Sequence, residues 1–247
     1  MLDRFRHSYV DLENPQHLEF EYIQAMASVT DTAYDEGGAL RAHHIGGGGL
    51  TLPRYLDAVR PGTDSLVSEI DPGVLEVDVE LLGLELGEGI EVRVEDGRTG
   101  LRRLTGDSRD LIVGDACGGV SVPFHLTTRE ALSDVRRVLT ADGLYVANLI
   151  DHGPLASARA EVATLSQVFD HVALAALPET LTGECGGNLV AVAGDRPLDV
   201  RAWTDRMDER GTGWDAVTGG ELDAWVGDAQ ILRDDYAPVD QLLTPYG

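Results

Sequence analysis

Acidic residues recur where apolar runs of this chain end, and a glycine cluster precedes them. Gly46-Gly47-Gly48-Gly49 sits between the short apolar run Leu40 to Ile45 and the helix-like run Leu52 to Val59. Glycine takes φ > 0 and lets a ligand approach without a Cβ in the way. A glycine turn after a first strand, opening a helix, is where α/β folds take nucleotide-like ligands. Glu69 and Asp71 follow about 20 residues on, where such folds place the carboxylate that holds ribose hydroxyls. Asp96 follows the run Ile90 to Val94, and Asp115 ends the run Asp110 to Gly114. Glu69 can accept from both ribose hydroxyls, and Asp96 from the exocyclic amine of adenine. Asp115, toward the reactive end, can deprotonate or orient an attacking amine. Any one of these acids could be a helix cap or turn former. Four successive strand ends in register are harder to assign to capping.

The elements that must carry these groups alternate. Leu18 to Val29 has helical apolar spacing, and Arg6 to Leu12 alternates like a strand. Strands are predicted at 40–45, 64–70, 90–94, 110–115, 144–150, 171–176 and 188–193. Helices are predicted at 52–59, 72–82, 99–104, 127–139 and 155–168. Thr127 lies three residues before Glu130, in capping-box order. This is a doubly wound, mainly parallel Rossmann-like sheet with an antiparallel last strand. Residues 1–38 precede the nucleoside-binding domain at 39–198. Residues 199–247 read as a helical extension and tail, with a Gly-rich break between two helices.

The chain has 247 residues, 43% of them hydrophobic, which suits a sizeable core. Its formal net charge is −24, and all 19 basic residues are arginine. That acidity keeps a protein soluble and attracts cations. It argues against nucleic-acid binding, which needs a basic patch. Two cysteines, Cys117 and Cys185, make no disulfide framework and no metal-like spacing. The N-terminus has no apolar signal region and no apolar run is long enough to span a membrane. The expected location is the cytoplasm. His43-His44 suits strand packing better than metal binding. His125 falls near the site, as a second base or a packing residue. Trp203, Trp214 and Trp225 suit core anchors for the C-terminal helices.

Taken together, Glu19-Phe20-Glu21-Tyr22, Ile45-Gly46-Gly47-Gly48, Arg54, Glu69-Ile70-Asp71, Asp96-Gly97 and Asp110 to Asp115 make a recognisable set. So do Leu126-Thr127, Asp142-Gly143 and the tail Asp234-Asp235-Tyr236-Ala237-Pro238. In these the chain resembles the spermidine synthase (polyamine aminopropyltransferase) family, of class I S-adenosylmethionine methyltransferase-like fold. The resemblance implies aminopropyl transfer from decarboxylated S-adenosylmethionine to a small amine such as putrescine, with no tightly bound cofactor. It implies that Gly46, Gly47, Gly48, Glu69, Asp71, Asp96 and Gly97 hold the donor and that Asp115 is the catalytic acid group. It implies that Tyr22, Gly49 and Ala116 face the substrate, and that a homodimer forms.

The chain departs from the family at the amine end. The family turn reads Gly-Gly-Gly-Asp-Gly, and its aspartate position is Gly49 here. The loop Asp-Ser-Ser-Asp-Pro becomes Asp115-Ala116-Cys117-Gly118, and the entry Tyr-(His or Gln)-Glu becomes Tyr22-Ile23-Gln24. The late Tyr-Pro-x-Gly-type loop becomes Leu181-Thr182-Gly183-Glu184. Burying a cationic substrate without counter-carboxylates is costly. Two other readings therefore stand beside aminopropyl transfer: a methyltransferase-like enzyme using intact S-adenosylmethionine, and a non-catalytic nucleoside binder.

Overall fold

Apolar alternation along the strands builds a sheet covered on both faces. In β4 (Arg109–Gly114), Leu111 and Val113 face one core and Ile112 the other. The computed structural model describes residues 8–84, 87, 89–116 and 122–239; Cys117 and Gly118 lie outside them. Within these residues β1 (Arg41–Ile45), β2 (Asp64–Glu69), β3 (Ile90–Val94), β4 and β5 (Leu139–Asp151) run parallel. β6 (His171–Ala176), β7 (Gly187–Gly194) and β8 (Asp215–Thr218) complete an eight-stranded sheet ordered β3-β2-β1-β4-β5-β7-β6-β8. β7 runs antiparallel between β5 and β6, and β8 antiparallel beside β6. The expected mainly parallel, doubly wound architecture is present, with a longer antiparallel end.

One face is covered by α4 (Gly97–Arg103), α6 (Arg129–Val138) and α7 (Ala156–Val168), packed through Leu101, Leu132, Val135 and Leu165. The other carries α1 (Glu21–Ala33), α2 (Thr51–Val59) and α9 (Val200–Arg210), packed through Met26, Leu56 and Trp203. The Trp203 indole N–H donates to the Ala25 carbonyl at 2.9 Å, locking α9 on α1. β1 pairs with both β2 and β4, so the winding reverses between β1 and β4. In open α/β sheets the ligand crevice opens at that reversal, at the carboxyl ends of the strands.

Local differences from the sequence reading have physical causes. Residues 8–11 form no strand. They lie across the start of α2, where the Thr51 hydroxyl donates to the Tyr9 carbonyl at 2.8 Å and contacts Ser8 Oγ at 3.3 Å. Thr128, not Thr127, caps α6, accepting from the Ala131 N–H at 3.2 Å. Thr127 instead closes a short helical turn, α5 (Phe124–Thr127), through its hydroxyl on Phe124 O. Asp142-Gly143 lies within β5, near an irregularity in its register with β4. The break after Gly211 supplies β8, whose Val217 side chain reaches the sheet core. Among the described residues no helix is long and apolar enough to cross a membrane.

Candidate functional site

The glycine turn closes one side of the crevice, and its conformations need glycine. Gly46 has φ +105°, and a Cβ there would overlap the Asp115 carbonyl, so the turn lies backbone-to-backbone against the exit of β4. The Gly47 N–H donates to Glu69 Oε2 at 2.7 Å, and the Asp71 N–H to Glu69 Oε1 at 2.8 Å. Glu69, 8% exposed at the end of β2, therefore has both oxygens oriented by backbone N–H groups. Each oxygen keeps a second lone pair for a further donor. A Cβ at Gly48 would meet no atom within 4 Å. Gly49 has φ +71°, and a Cβ there would overlap Ser8 Oγ. Asp71 caps the next helix, α3 (Pro72–Glu80), accepting from the Gly73 N–H at 2.8 Å, and is exposed.

Asp96 stands at the start of α4, one strand over. Its Oδ1 accepts from the Thr99 N–H at 2.9 Å and from the Thr99 hydroxyl at 3.1 Å. Its Oδ2 lies 2.6 Å from His125 Nε2. Burial opposes ionisation of Asp96, but the hydrogen bonds from His125 and Thr99 outweigh it and hold the carboxyl below the usual range. Gly97 brings α4 onto the end of β1: a Cβ there would overlap Ile45 Cγ2. Ile45 is β-branched, buried and fixed in the central strand. We expect Gly97→Ala to lower unfolding free energy in urea by about 1–3 kcal/mol, the usual range for overpacking. An unchanged midpoint would mean that α4 slides freely on β1.

Asp115 leaves β4 directly across the reversal from the turn, its N–H bonded to the Ile45 carbonyl at 2.9 Å. Asn148 Nδ2 donates to Asp115 Oδ1 at 2.8 Å, and the Tyr22 hydroxyl to Oδ2 at 3.4 Å. Asn188 Nδ2 in turn donates to Asn148 Oδ1 at 2.9 Å, fixing which way that amide faces. Burial raises the Asp115 pKa against these two hydrogen bonds, making the ionised carboxylate a stronger base. Ala116 follows and lines a small cavity with Ile45, Leu126, Tyr145 and Glu161.

The structure thus gathers Gly46, Gly47, Glu69, Asp115 and Tyr22 at one crevice, with Asp96 and Gly97 on its flank. His125, left open between two roles, contacts Asp96 rather than Asp115. His43 is neutral and structural: Nε2 bonds Ser68 Oγ at 2.9 Å, and burial lowers its pKa to about 4. Three groups escaped the sequence reading. Asn148, 3% exposed, sits in the apolar run Tyr145 to Ile150, where a lone asparagine was the available signal. Asn188 stood at a predicted strand start. Asp78 in α3 accepts from the Gly49 N–H and is pushed up to about 6, chiefly by burial. Nothing in a helical Val-Asp-Val marks it as supporting a distant turn.

Comparison with known proteins bears on the fold and the family. No family model matches the chain. A probable spermidine synthase from Corynebacterium glutamicum superposes with a TM-score of 0.83 at 30% identity, covering 94% of this chain and 85% of that one. A polyamine aminopropyltransferase from Chromobacterium violaceum is 30% identical over 142 residues, 57% of this chain and 53% of its own. The chain spans about half the length, or less, of the curated relatives it matches. Human methyltransferase-like protein 13, in complex with SAH, shares the fold at TM-score 0.59 and 18% identity, covering 90% of this chain and 97% of that one.

Proposed function

The chain belongs to the spermidine synthase family as a divergent member, and on that premise we propose that it is a transferase of the aminopropyl group. The donor is decarboxylated S-adenosylmethionine and the acceptor a small amine such as putrescine. In this reading Glu69 receives the ribose hydroxyls while the glycine turn keeps that wall free of side chains. Asp96 and Gly97 bound the adenine end. Asp115 takes the proton from the attacking ammonium, so that the amine lone pair can displace methylthioadenosine from the aminopropyl carbon. Tyr22 and Asn148 hold the two carboxylate oxygens so that Asp115 meets the nucleophile in one orientation. The observation that carries the reading is Asp115 itself: a desolvated carboxylate, oriented by two side chains, backed against the turn.

A second reading rests on Gly49. Where the family turn carries an aspartate, the Ser8 side chain fills the space a Cβ would need. An ammonium at the donor's transferring end then lacks that carboxylate partner. Intact S-adenosylmethionine, whose own carboxylate an aspartate there would repel, suits such a turn, and the product would be a methylated acceptor. Incubation with putrescine and either donor, read by mass spectrometry, separates the two. An aminopropyl mass increment with the decarboxylated donor is the expected result. A methyl increment with the intact donor replaces the first reading by the second. No increment with either sinks both.

A further inference from the structure

The described C-terminal tail is tied to the flank of the crevice rather than to its own helices. Leu232 and Val239 are buried with Ala160 of α7. The Leu232 N–H donates to Thr164 Oγ1 at 2.9 Å, and its carbonyl accepts from the Arg129 N–H at 2.9 Å. Between these anchors, Asp234 reaches across to Arg98 of α4. The guanidinium meets it with two parallel bonds, NH1 to Oδ1 at 2.7 Å and NH2 to Oδ2 at 2.8 Å. The same Asp234 Oδ1 accepts from Thr128, the cap of α6, at 2.7 Å, and its N–H donates to Glu130 Oε2 at 3.0 Å. One carboxylate therefore joins the tail, the start of α4 and the start of α6.

The remaining step leads into the site. Arg98 NH1 also donates to the backbone carbonyl of His125 at 3.2 Å. His125 in turn places Nε2 on Asp96 Oδ2. With Asp96 ionised, that nitrogen carries the proton and donates. Arg98 is 9% exposed in its side chain, so its geometry is fixed by these partners rather than by solvent. A bidentate arginine–carboxylate pair of this kind adds geometric definition as well as energy.

We propose that His125 is a specificity-determining residue of the nucleobase end and that Asp234, through Arg98, is the positioning residue that sets it. The proposal deepens the nucleoside reading above and rests on it. Asp96 discriminates between bases only while it is ionised and held in one rotamer. A 6-amino group then donates to it, whereas a 6-oxo group is repelled. The His125 N–H contributes to both conditions beside Thr99: it favours the charged form and pins Oδ2, the oxygen that Thr99 leaves unheld. Without that donor only the Thr99 bonds to Oδ1 remain, Oδ2 is no longer held in place, and the carboxylate presents no fixed acceptor to the base. Discrimination then fades faster than affinity.

Calorimetric titration with methylthioadenosine and with methylthioinosine, its 6-oxo analogue, tests this on four proteins. The wild type is expected to prefer the 6-amino nucleoside by about 100-fold or more, as sites built on a hydrogen bond to the ligand do. His125→Ala should weaken methylthioadenosine about 10-fold and shrink the preference to a few-fold. His125→Gln retains an N–H donor and should restore most of the preference. Asp234→Asn lies beyond contact with the base, yet should reduce the preference in the same direction. Thermal melts run alongside identify a merely structural tail, because loss of stability or affinity with an intact preference overturns the assignment of Asp234. An unchanged preference in His125→Ala overturns the proposal entirely. A wild type that binds neither nucleoside removes the nucleoside reading and this inference together. A wild type that binds both equally removes the inference alone.

Discussion

Asp115→Asn is expected to lower turnover by about 10³-fold, the middle of the range for a lost general base, while methylthioadenosine affinity stays within about 3-fold. The asymmetry follows from position. The nucleoside-facing groups, Glu69 and Asp96, make their hydrogen bonds without using Asp115. Asparagine matches the carboxylate in size but puts an N–H₂ group where one oxygen now accepts from Tyr22 or Asn148. Stopped-flow or discontinuous assay of product against nucleoside titration checks both halves. Wild-type turnover in the variant would show that Asp115 is not the proton acceptor. Loss of nucleoside binding would place Asp115 in the donor site instead. The Asn148→Leu change belongs to the same series, because it strips the oriented donor from Asp115 Oδ1.

Glu161→Gln is expected to remove a pH dependence of stability that the wild type shows. Glu161 on α7 is 7% exposed, and its neighbour Asp151 is 1% exposed. Burial first, and the Asp151 charge second, raise the Glu161 carboxyl from 4.5 to about 8, against a weak bond from Ser157. The folded protein therefore holds a proton that the unfolded chain releases near pH 4.5. Between about pH 4.5 and 8 the native state binds more protons, so stability falls as pH rises and levels off above that window. A shift of this size corresponds to at most about 5 kcal/mol, or roughly 10 °C in melting temperature for a chain of this length. Glutamine stays neutral throughout. The difference between the two melting curves from pH 5 to 9 isolates Glu161 from His43 and Asp78, which titrate in both proteins. Parallel curves would mean that Glu161 is ionised in the fold.

The sheet was legible because its strands carry the signal themselves. His171 to Ala176 and Ile90 to Val94 are apolar or alternating runs closed by turns, and their bounds match the structure residue for residue. The glycine turn and the acids after it were legible because strand ends are where an α/β fold displays chemistry. Cross-chain partners were not. Nothing local in Asn148 or Asn188 says that Asn188 orients Asn148 and Asn148 meets Asp115, since the pairing of β5 with β7 brings the two amides together. The tail bond from Asp234 to Arg98 spans 136 positions and answers to the packing of α4 rather than to any spacing. β8 was missed because Asp215 to Thr218 is four residues long and flanked by glycines, so only its partner β6 defines it.

The seating of Ser8 over Gly49 bears on what position 49 can carry. An aspartate at position 49 would bring its Cβ onto Ser8 and Val10 and would have to adopt a positive φ. The Ser8–Thr51 pairing would have to give way first. The leading segment therefore acts as a lock on the turn: residues 8–10 must move before position 49 can carry any side chain toward the crevice.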